Sequence, residues 1–246
     1  LEGDGFHHRW FGLREMDAGT VHLYLEGDGR PVLNRTQIAS DPTPPYSIVL
    51  PWMRSDVAPS YYLGRPCYLG MAKKDDCHSR WWTVDRYSPA VVGSMVAAAN
   101  QLLEGRPVIL IGHSGGGTLA VAMASRIPNV RGLVTVAGNL DVEGWTRLHG
   151  YSGLTQPGDI KEMLRDLQDV PQRHYVGARD RNVIPQLTLG LFDAMPPGSL
   201  CVVKHWNHRC CFMPSRNTLA DLSPSTCKSV GGKVYSAAEV SKGGSR

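Results

Sequence analysis

Short apolar runs alternate along the chain with longer stretches in which apolar residues recur at helical spacing. Thr20-Val21-His22-Leu23-Tyr24-Leu25 is a strand-length run that ends in the turn-forming Glu26-Gly27-Asp28-Gly29. Ser88-Pro89 has the form of a helix start, with serine as the cap and proline in the first turn. Val91, Val92, Met95, Val96, Ala99, Leu102 and Leu103 then share one face of a helix predicted over residues 90–104, and Gly105 closes it. Pro107-Val108-Ile109-Leu110-Ile111 follows at once, with the unbroken apolar character of a strand buried on both faces of a parallel sheet. Beyond it the pattern predicts a small-residue helix over 115–124, a strand over 130–138, an amphipathic helix over 159–169, and strands over 172–177 and 200–204. Strands that alternate with helices need crossover connections. The expectation is therefore an α/β fold, with a mostly parallel central sheet and helices on both faces.

The 246 residues fit one such domain, and no internal repeat is visible. Residues 1–214 are expected to form that α/β domain, whereas residues 215–246, rich in Ser, Gly and Lys and weak in periodicity, are expected to be a loosely ordered tail. The thirty residues between Asp141 and Gln172 must include an ordinary helix, which leaves room only for a minimal cap.

The chemistry is carried by Gly112-His113-Ser114-Gly115-Gly116, directly after an apolar strand and directly before a helix. A serine hydroxyl works as a nucleophile only when it is presented in the open, beside a base and near donors for the developing oxyanion. A sharp strand-to-helix turn presents it, and that turn crowds the positions two before and two after the serine. Gly112 and Gly116 are bare at those positions. Short motifs match by chance, and the bland alternative is a glycine-rich turn with a buried serine. Strand before and helix after favour the nucleophile elbow.

Reactive groups of such a sheet sit on loops at the carboxyl ends of its strands, in the order serine, acid, histidine. Asp180, just past residues 172–177, is expected to be the acid, with Asp141 as the rival one strand earlier. His208, three residues past His205 and free to swing from a loop, is expected to be the base; His205 continues the strand itself. The base takes the serine proton on one ring nitrogen while the other donates to the acid, which fixes tautomer and orientation. The oxyanion hole needs the Gly115 amide and a second amide from the glycine-rich turn, for which Gly27 and Asp28 are the candidates. Arg30 would orient that turn or be solvated. His113, Trp145 and His149 are expected to contact substrate, with Tyr151 and Leu154 along the same cleft, although core packing explains Trp145 equally well. Tyr61, Tyr62, Trp81 and Trp82 make a second apolar wall or a satellite core.

The formal charge of +4 is mild and its cations are scattered, so no basic patch points to nucleic acid. No run of about 18 apolar residues marks a membrane span. The chain begins Leu1-Glu2-Gly3, which suggests a leader removed or never included. Of six cysteines, Cys67 and Cys77 lie ten positions apart in a loop-like stretch that a bridge would staple; the alternative is two free thiols in a cytosolic enzyme. Cys210, Cys211 and Cys227 could supply a second link of undetermined connectivity. Their spacing does not suit zinc, and neither metal nor cofactor is expected. The oligomeric state is left open.

The segments at residues 23–31 (LYLEGDGRP), 41–44 (DPTP), 61–68 (YYLGRPCY), 86–88 (RYS), 111–117 (IGHSGGG), 134–141 (VTVAGNLD), 145–149 (WTRLH) and 207–208 (NH) together resemble α/β-hydrolases, and within them a group of bacterial, largely exported or lipoprotein-type serine hydrolases. The resemblance spans about residues 20–211. It implies the α/β-hydrolase fold, a triad of Ser114, Asp180 and His208, and an exported protein with Cys67 paired to Cys77. It implies no particular substrate. A small-molecule ester is the expected partner, with an amide or peptide bond as the second enzyme reading and a secreted, non-catalytic binding protein as the third. One departure stands out: the fold normally follows its histidine with a closing helix, and here Cys211 leads instead into Phe212-Met213-Pro214 and the polar tail.

Overall fold

The computed structural model describes residues 1–14, 19–34, 36–209 and 221–235. Along the chain lie β1 (Trp10–Leu13), β2 (Val21–Leu25), β3 (Val32–Leu33), β4 (Gln37–Ile38), α1 (Val49–Ser55), β5 (Ser60–Leu63), α2 (Pro89–Leu103), β6 (Val108–His113), α3 (Gly115–Ala124), β7 (Val130–Val136), α4 (Val142–His149), α5 (Ile160–Asp166), β8 (Gln172–Gly177), α6 (Pro185–Leu189), β9 (Leu200–Val203), α7 (Pro224–Ser229) and β10 (Gly232–Val234), with 3₁₀ turns at Ser79–Trp82 and Phe192–Ala194. Eight strands form one sheet in the order β1-β5-β2-β6-β7-β8-β9-β10, and β3 and β4 make a separate hairpin. The six inner strands run parallel, and β1 and β10 close the two edges antiparallel.

The unbroken apolar runs are explained by burial on both sides. Leu23, Leu25, Leu110 and Leu133 point into one core with α2, α3 and α5, whereas Tyr24, Ile111, Val134 and Tyr175 point into a second core with Val49, Trp52 and Met53 of α1. Each fully buried side chain of this kind contributes roughly 2 kcal/mol of apolar transfer free energy. Ser88 caps α2 through a bond from the Val91 amide, and Glu104 ends that helix in a left-handed conformation. Between β7 and β8 stand only α4 and α5, so the cap is small.

The structure differs from the expected loose tail at residues 221–235. Here α7 is followed by β10, which pairs with β9 in the register Gly232↔Val203 and Val234↔Cys201. A disulfide joins Cys227 to Cys201, and the Arg173 guanidinium donates to the Leu222 carbonyl at 2.6 Å. Helical periodicity could not reveal this segment. Its helix has six residues and its strand three, and a covalent bond holds them to the sheet. Cys210 and Cys211 fall outside the described residues.

Candidate active site

Every element that carries a predicted reactive group ends at the same edge of the sheet. β6 delivers Ser114, which has φ 52° and ψ −122°, a conformation that costs an L residue on the order of 1–3 kcal/mol and persists only where the surroundings impose it. They do. The Ser114 amide donates to the Val136 carbonyl of the next strand at 3.0 Å, and the Ser114 carbonyl accepts from Gly117 and Asn139 at 2.9 and 3.0 Å. A Cβ at Gly112 would stand 2.2 Å from the Gly116 carbonyl oxygen, and one at Gly116 would stand 2.3 Å from the Leu25 carbonyl oxygen. The turn closes only because both positions are bare. Gly115, Gly116 and Gly117 then begin α3, with their amides pointing back toward the turn.

Asp180 lies in the loop after β8, with its side chain fully buried. One carboxylate oxygen accepts the Asn182 and Val183 amides at 2.8 and 2.9 Å. The other lies 2.9 Å from Nδ1 of His208. With Nδ1–H donating to the acid, the neutral ring keeps Nε2 unprotonated. His208 follows β9 and is about one-fifth exposed. The structure therefore brings Asp180 to His208. Asp141 is used otherwise: it caps α4 by accepting the Gly144 amide at 2.8 Å. His205 is exposed.

His113, expected to contact substrate, is placed differently. It is buried, its ring stands between those of Trp52 and His208, and Nε2 lies 3.0 Å from the His208 backbone carbonyl. A carbonyl only accepts, so Nε2 carries the proton. Burial, reinforced by the adjacent His208 ring, pushes the His113 pKa down to about 4. His113 is thus a neutral donor that holds the main chain of His208. Its position inside the strand, alternating with Gly112 toward the second core, is the signal that marks it as internal.

The glycine-rich turn after β2 abuts the serine. A Cβ at Gly27 would come 3.3 Å from Ser114 Cβ and 3.4 Å from His113 Nδ1. Glu26, before it, is buried and joins two elements. Its carboxylate accepts the Ile48 amide at 3.0 Å and the Ser47 hydroxyl at the start of α1, and the Gly27 amide at 3.2 Å. Asp28 is held by Arg65 at 2.8 Å, Arg86 at 3.0 Å and the Tyr87 hydroxyl at 2.6 Å, while its carbonyl accepts the Tyr68 hydroxyl at 2.8 Å. Burial pushes the Asp28 pKa up, but the two guanidiniums and the tyrosine outweigh it and hold the carboxyl below its ordinary range. Arg65, Tyr68, Arg86 and Tyr87 were not singled out by spacing. Arg30 is exposed, and its backbone amide bonds Pro42.

Trp145 and His149 line the loop that carries Asp180. The indole donates to the Asn182 side chain at 3.3 Å and His149 Nε2 lies 2.7 Å from the Asn182 carbonyl. His149 stacks on Tyr151, which is half exposed, and both rings meet Trp145. Cys67 and Cys77 are disulfide-bonded, and Cys67, Tyr68 and Trp82 form a small core of their own with Trp81 packed against it. Tyr61 and Tyr62 belong to the two main cores.

A family model for the alpha/beta hydrolase fold matches residues 69–181, a stretch that includes Ser114 and Asp180 and stops before His208. Among solved structures the chain is similar to the meta-cleavage product hydrolase CumD of Pseudomonas fluorescens IP01, with TM-score 0.60 at 14% identity over 85% of this chain and 90% of that one. It is also similar to Est1E of Butyrivibrio proteoclasticus, solved with ferulic acid bound, with TM-score 0.62 at 10% identity over 94% and 96%. A third is the esterase domain of a Rhodothermus marinus protein, with TM-score 0.53 at 15% identity over 92% and 95%. No curated protein sequence matches the chain. These likenesses define the class by architecture: the chain has the α/β-hydrolase fold. The sheet order and the elbow after its central strand are the features that the fold contributes to function.

Proposed function

We propose that the chain is a serine hydrolase that cleaves carboxylic esters through an acyl-enzyme, with Ser114 as nucleophile, His208 as base and Asp180 as acid. The observation that carries the reading is the His208–Asp180 pair, 2.9 Å apart with the carboxylate pinned by two amides, at the sheet edge where Ser114 is forced into the elbow conformation. In the first half-reaction Ser114 Oγ attacks the ester carbonyl carbon as His208 Nε2 takes its proton. The carbonyl π electrons move to oxygen, where backbone amides receive the charge. The Gly115 amide is one donor. For the second, the Gly27 amide already faces the Glu26 carboxylate, whereas the Asp28 amide makes no hydrogen bond among the described residues. Asp28 is the better donor. Collapse expels the alcohol, protonated by His208, and water repeats the sequence on the acyl-enzyme.

An ester, rather than an amide, is favoured by the neighbour named as an esterase domain. The two disulfides are consistent with an oxidising, extracellular setting, and no described helix is long and apolar enough to cross a membrane. Export is part of the proposal. The test is fluorophosphonate labelling with mapping of the adduct, beside turnover of p-nitrophenyl butyrate and of peptide anilides. Stoichiometric adduct on Ser114 with ester turnover supports the reading. A folded protein that takes no label defeats it, and faster anilide turnover transfers it to amides.

A further inference from the structure

Asp28 is surrounded more heavily than a turn residue requires. Two guanidiniums and two phenols converge on it from two separate segments: Arg65 and Tyr68, which flank Cys67 of the Cys67–Cys77 bridge, and Arg86 and Tyr87 from the turn before α2. The Asp28 carboxylate in turn lies against the start of α3, since a Cβ at Gly115 would stand 1.9 Å from Asp28 Oδ1 and 2.3 Å from the Tyr87 hydroxyl. Arg65 is the least expected member. It is buried, and among the described residues Asp28 is its one ion-pair partner. Among the described residues none of its guanidinium nitrogens makes a hydrogen bond, so Asp28 holds it as an ion pair, and the guanidinium lies over the rings of Tyr68 and Tyr87 at 5.8 and 5.5 Å. Burying such a pair gains little stability over apolar packing of the same volume. What it does supply is a fixed position.

We propose that Arg65 is a positioning residue for the oxyanion site: together with Arg86 and Tyr87 it clamps the Asp28 carboxylate against the start of α3, and so fixes the Asp28 amide beside that of Gly115. This rests on the serine-hydrolase reading above. Oxyanion donors act because they are aimed before charge develops, and loss of one costs about 10²–10³ in kcat. A donor that is present but released from its clamp loses part of that. The substrate's ground state meets the site through other groups, so KM is largely spared. The stapled loop also acquires a purpose, because the bridge at Cys67 holds the chain two residues after Arg65 and immediately before Tyr68.

The experiment compares Arg65→Met, Arg65→Lys and Tyr68→Phe with wild type, measuring p-nitrophenyl butyrate turnover per fluorophosphonate-titrated Ser114. Arg65→Met should lower kcat per titrated site at least about tenfold with KM within threefold, and Arg65→Lys, which keeps the charge, should recover most of it. Tyr68→Phe removes only the hydroxyl on the Asp28 carbonyl and should lower kcat about threefold or more; it carries the test if Arg65→Met does not fold. A merely structural role would lower the titre and leave kcat per site unchanged, which overturns the proposal. So does full activity in Arg65→Met, or in Tyr68→Phe when it alone folds. If wild type is neither labelled nor active, the serine-hydrolase reading fails and takes the proposal with it; labelled, active wild type with indifferent variants sinks the proposal alone.

Discussion

Replacing Asp180 by asparagine exchanges one oxygen for an NH2 group, and the surroundings decide which way the new amide faces. One carboxylate oxygen of Asp180 accepts two backbone amides at 2.8 and 2.9 Å. An NH2 placed there would oppose two donors, so the asparagine oxygen must take that site and the NH2 must face His208. A donor now meets Nδ1, which was the donor before at 2.9 Å. The ring answers by moving its proton to Nε2, the nitrogen that accepts from Ser114 in the proposed mechanism. Deprotonation of the serine is lost although the shape of the site is kept. The expected cost is about 10⁴ in kcat, on the order of 5 kcal/mol of activation free energy. Asp141→Asn is the matched control. Its side chain caps α4 through the Gly144 amide, a task asparagine performs as well as aspartate, and activity should stay within about threefold. Both variants are assayed by ester turnover per labelled serine, with thermal melts to show that each is folded. Loss of activity in Asp141→Asn with Asp180→Asn unharmed would refute the reasoning and move the acid one strand earlier.

Three further outcomes are expected. His8, His113 and His174 are buried, and burial pushes them down to about 4, about 4 and about 3; for His113 the neighbouring His208 ring adds to the effect. In the unfolded chain they protonate near 6.5, so the unfolded state binds protons that the fold refuses, and stability present above pH 6.5 is lost as pH falls toward 4. With three such groups the slope is about 4 kcal/mol per pH unit near pH 5, read as a falling Tm; a flat Tm between pH 6.5 and 4.5, or one that His174→Gln leaves equally steep, contradicts it. Gly115→Ala drives a methyl into the Asp28 carboxylate, 1.9 Å from Oδ1, and should cut kcat by about a hundredfold with the Ser114 adduct still forming slowly; an active alanine variant would mean that the turn moves freely. Opening Cys67–Cys77 by the double change Cys67→Ala with Cys77→Ala should cost about 3 kcal/mol in urea unfolding and lower kcat more than KM, and unaltered kcat would separate the staple from the oxyanion turn.

The elbow was legible because its requirements are local. The strand, the two bare positions around Ser114 and the small-residue helix are contiguous, and each shows in the pattern of residue types. Asp180 and His208 were legible through topology: a parallel sheet gathers the loops at one edge, so residues 28 positions apart meet there. For His113, adjacency to Ser114 suggests substrate contact, whereas strand alternation turns the ring inward against His208. The Asp28 clamp was not legible as a set of contacts, although segments 23–31, 61–68 and 86–88, which supply it, stand out in the resemblance. Arg86 and Tyr87 are 58 and 59 positions from Asp28, and an isolated arginine in sequence looks like any solvated cation. The last strand escaped as well, since Gly232-Lys233-Val234 has no apolar run to betray it.

The bridge between Cys201 and Cys227 has a consequence for a nicked chain. His208 sits within the loop that the bridge closes, so it is tied to the sheet on both of its sides, through β9 before it and through the sulfurs after it. A protease that cuts once between Lys204 and Thr226 therefore yields two fragments that remain a single molecule. On a denaturing gel the cut protein should run whole without reductant and as two pieces with it. A cut on the C-terminal side of His208 would leave α7 and β10 joined to β9 through the sulfurs, where a chain without the bridge would shed everything beyond the cut.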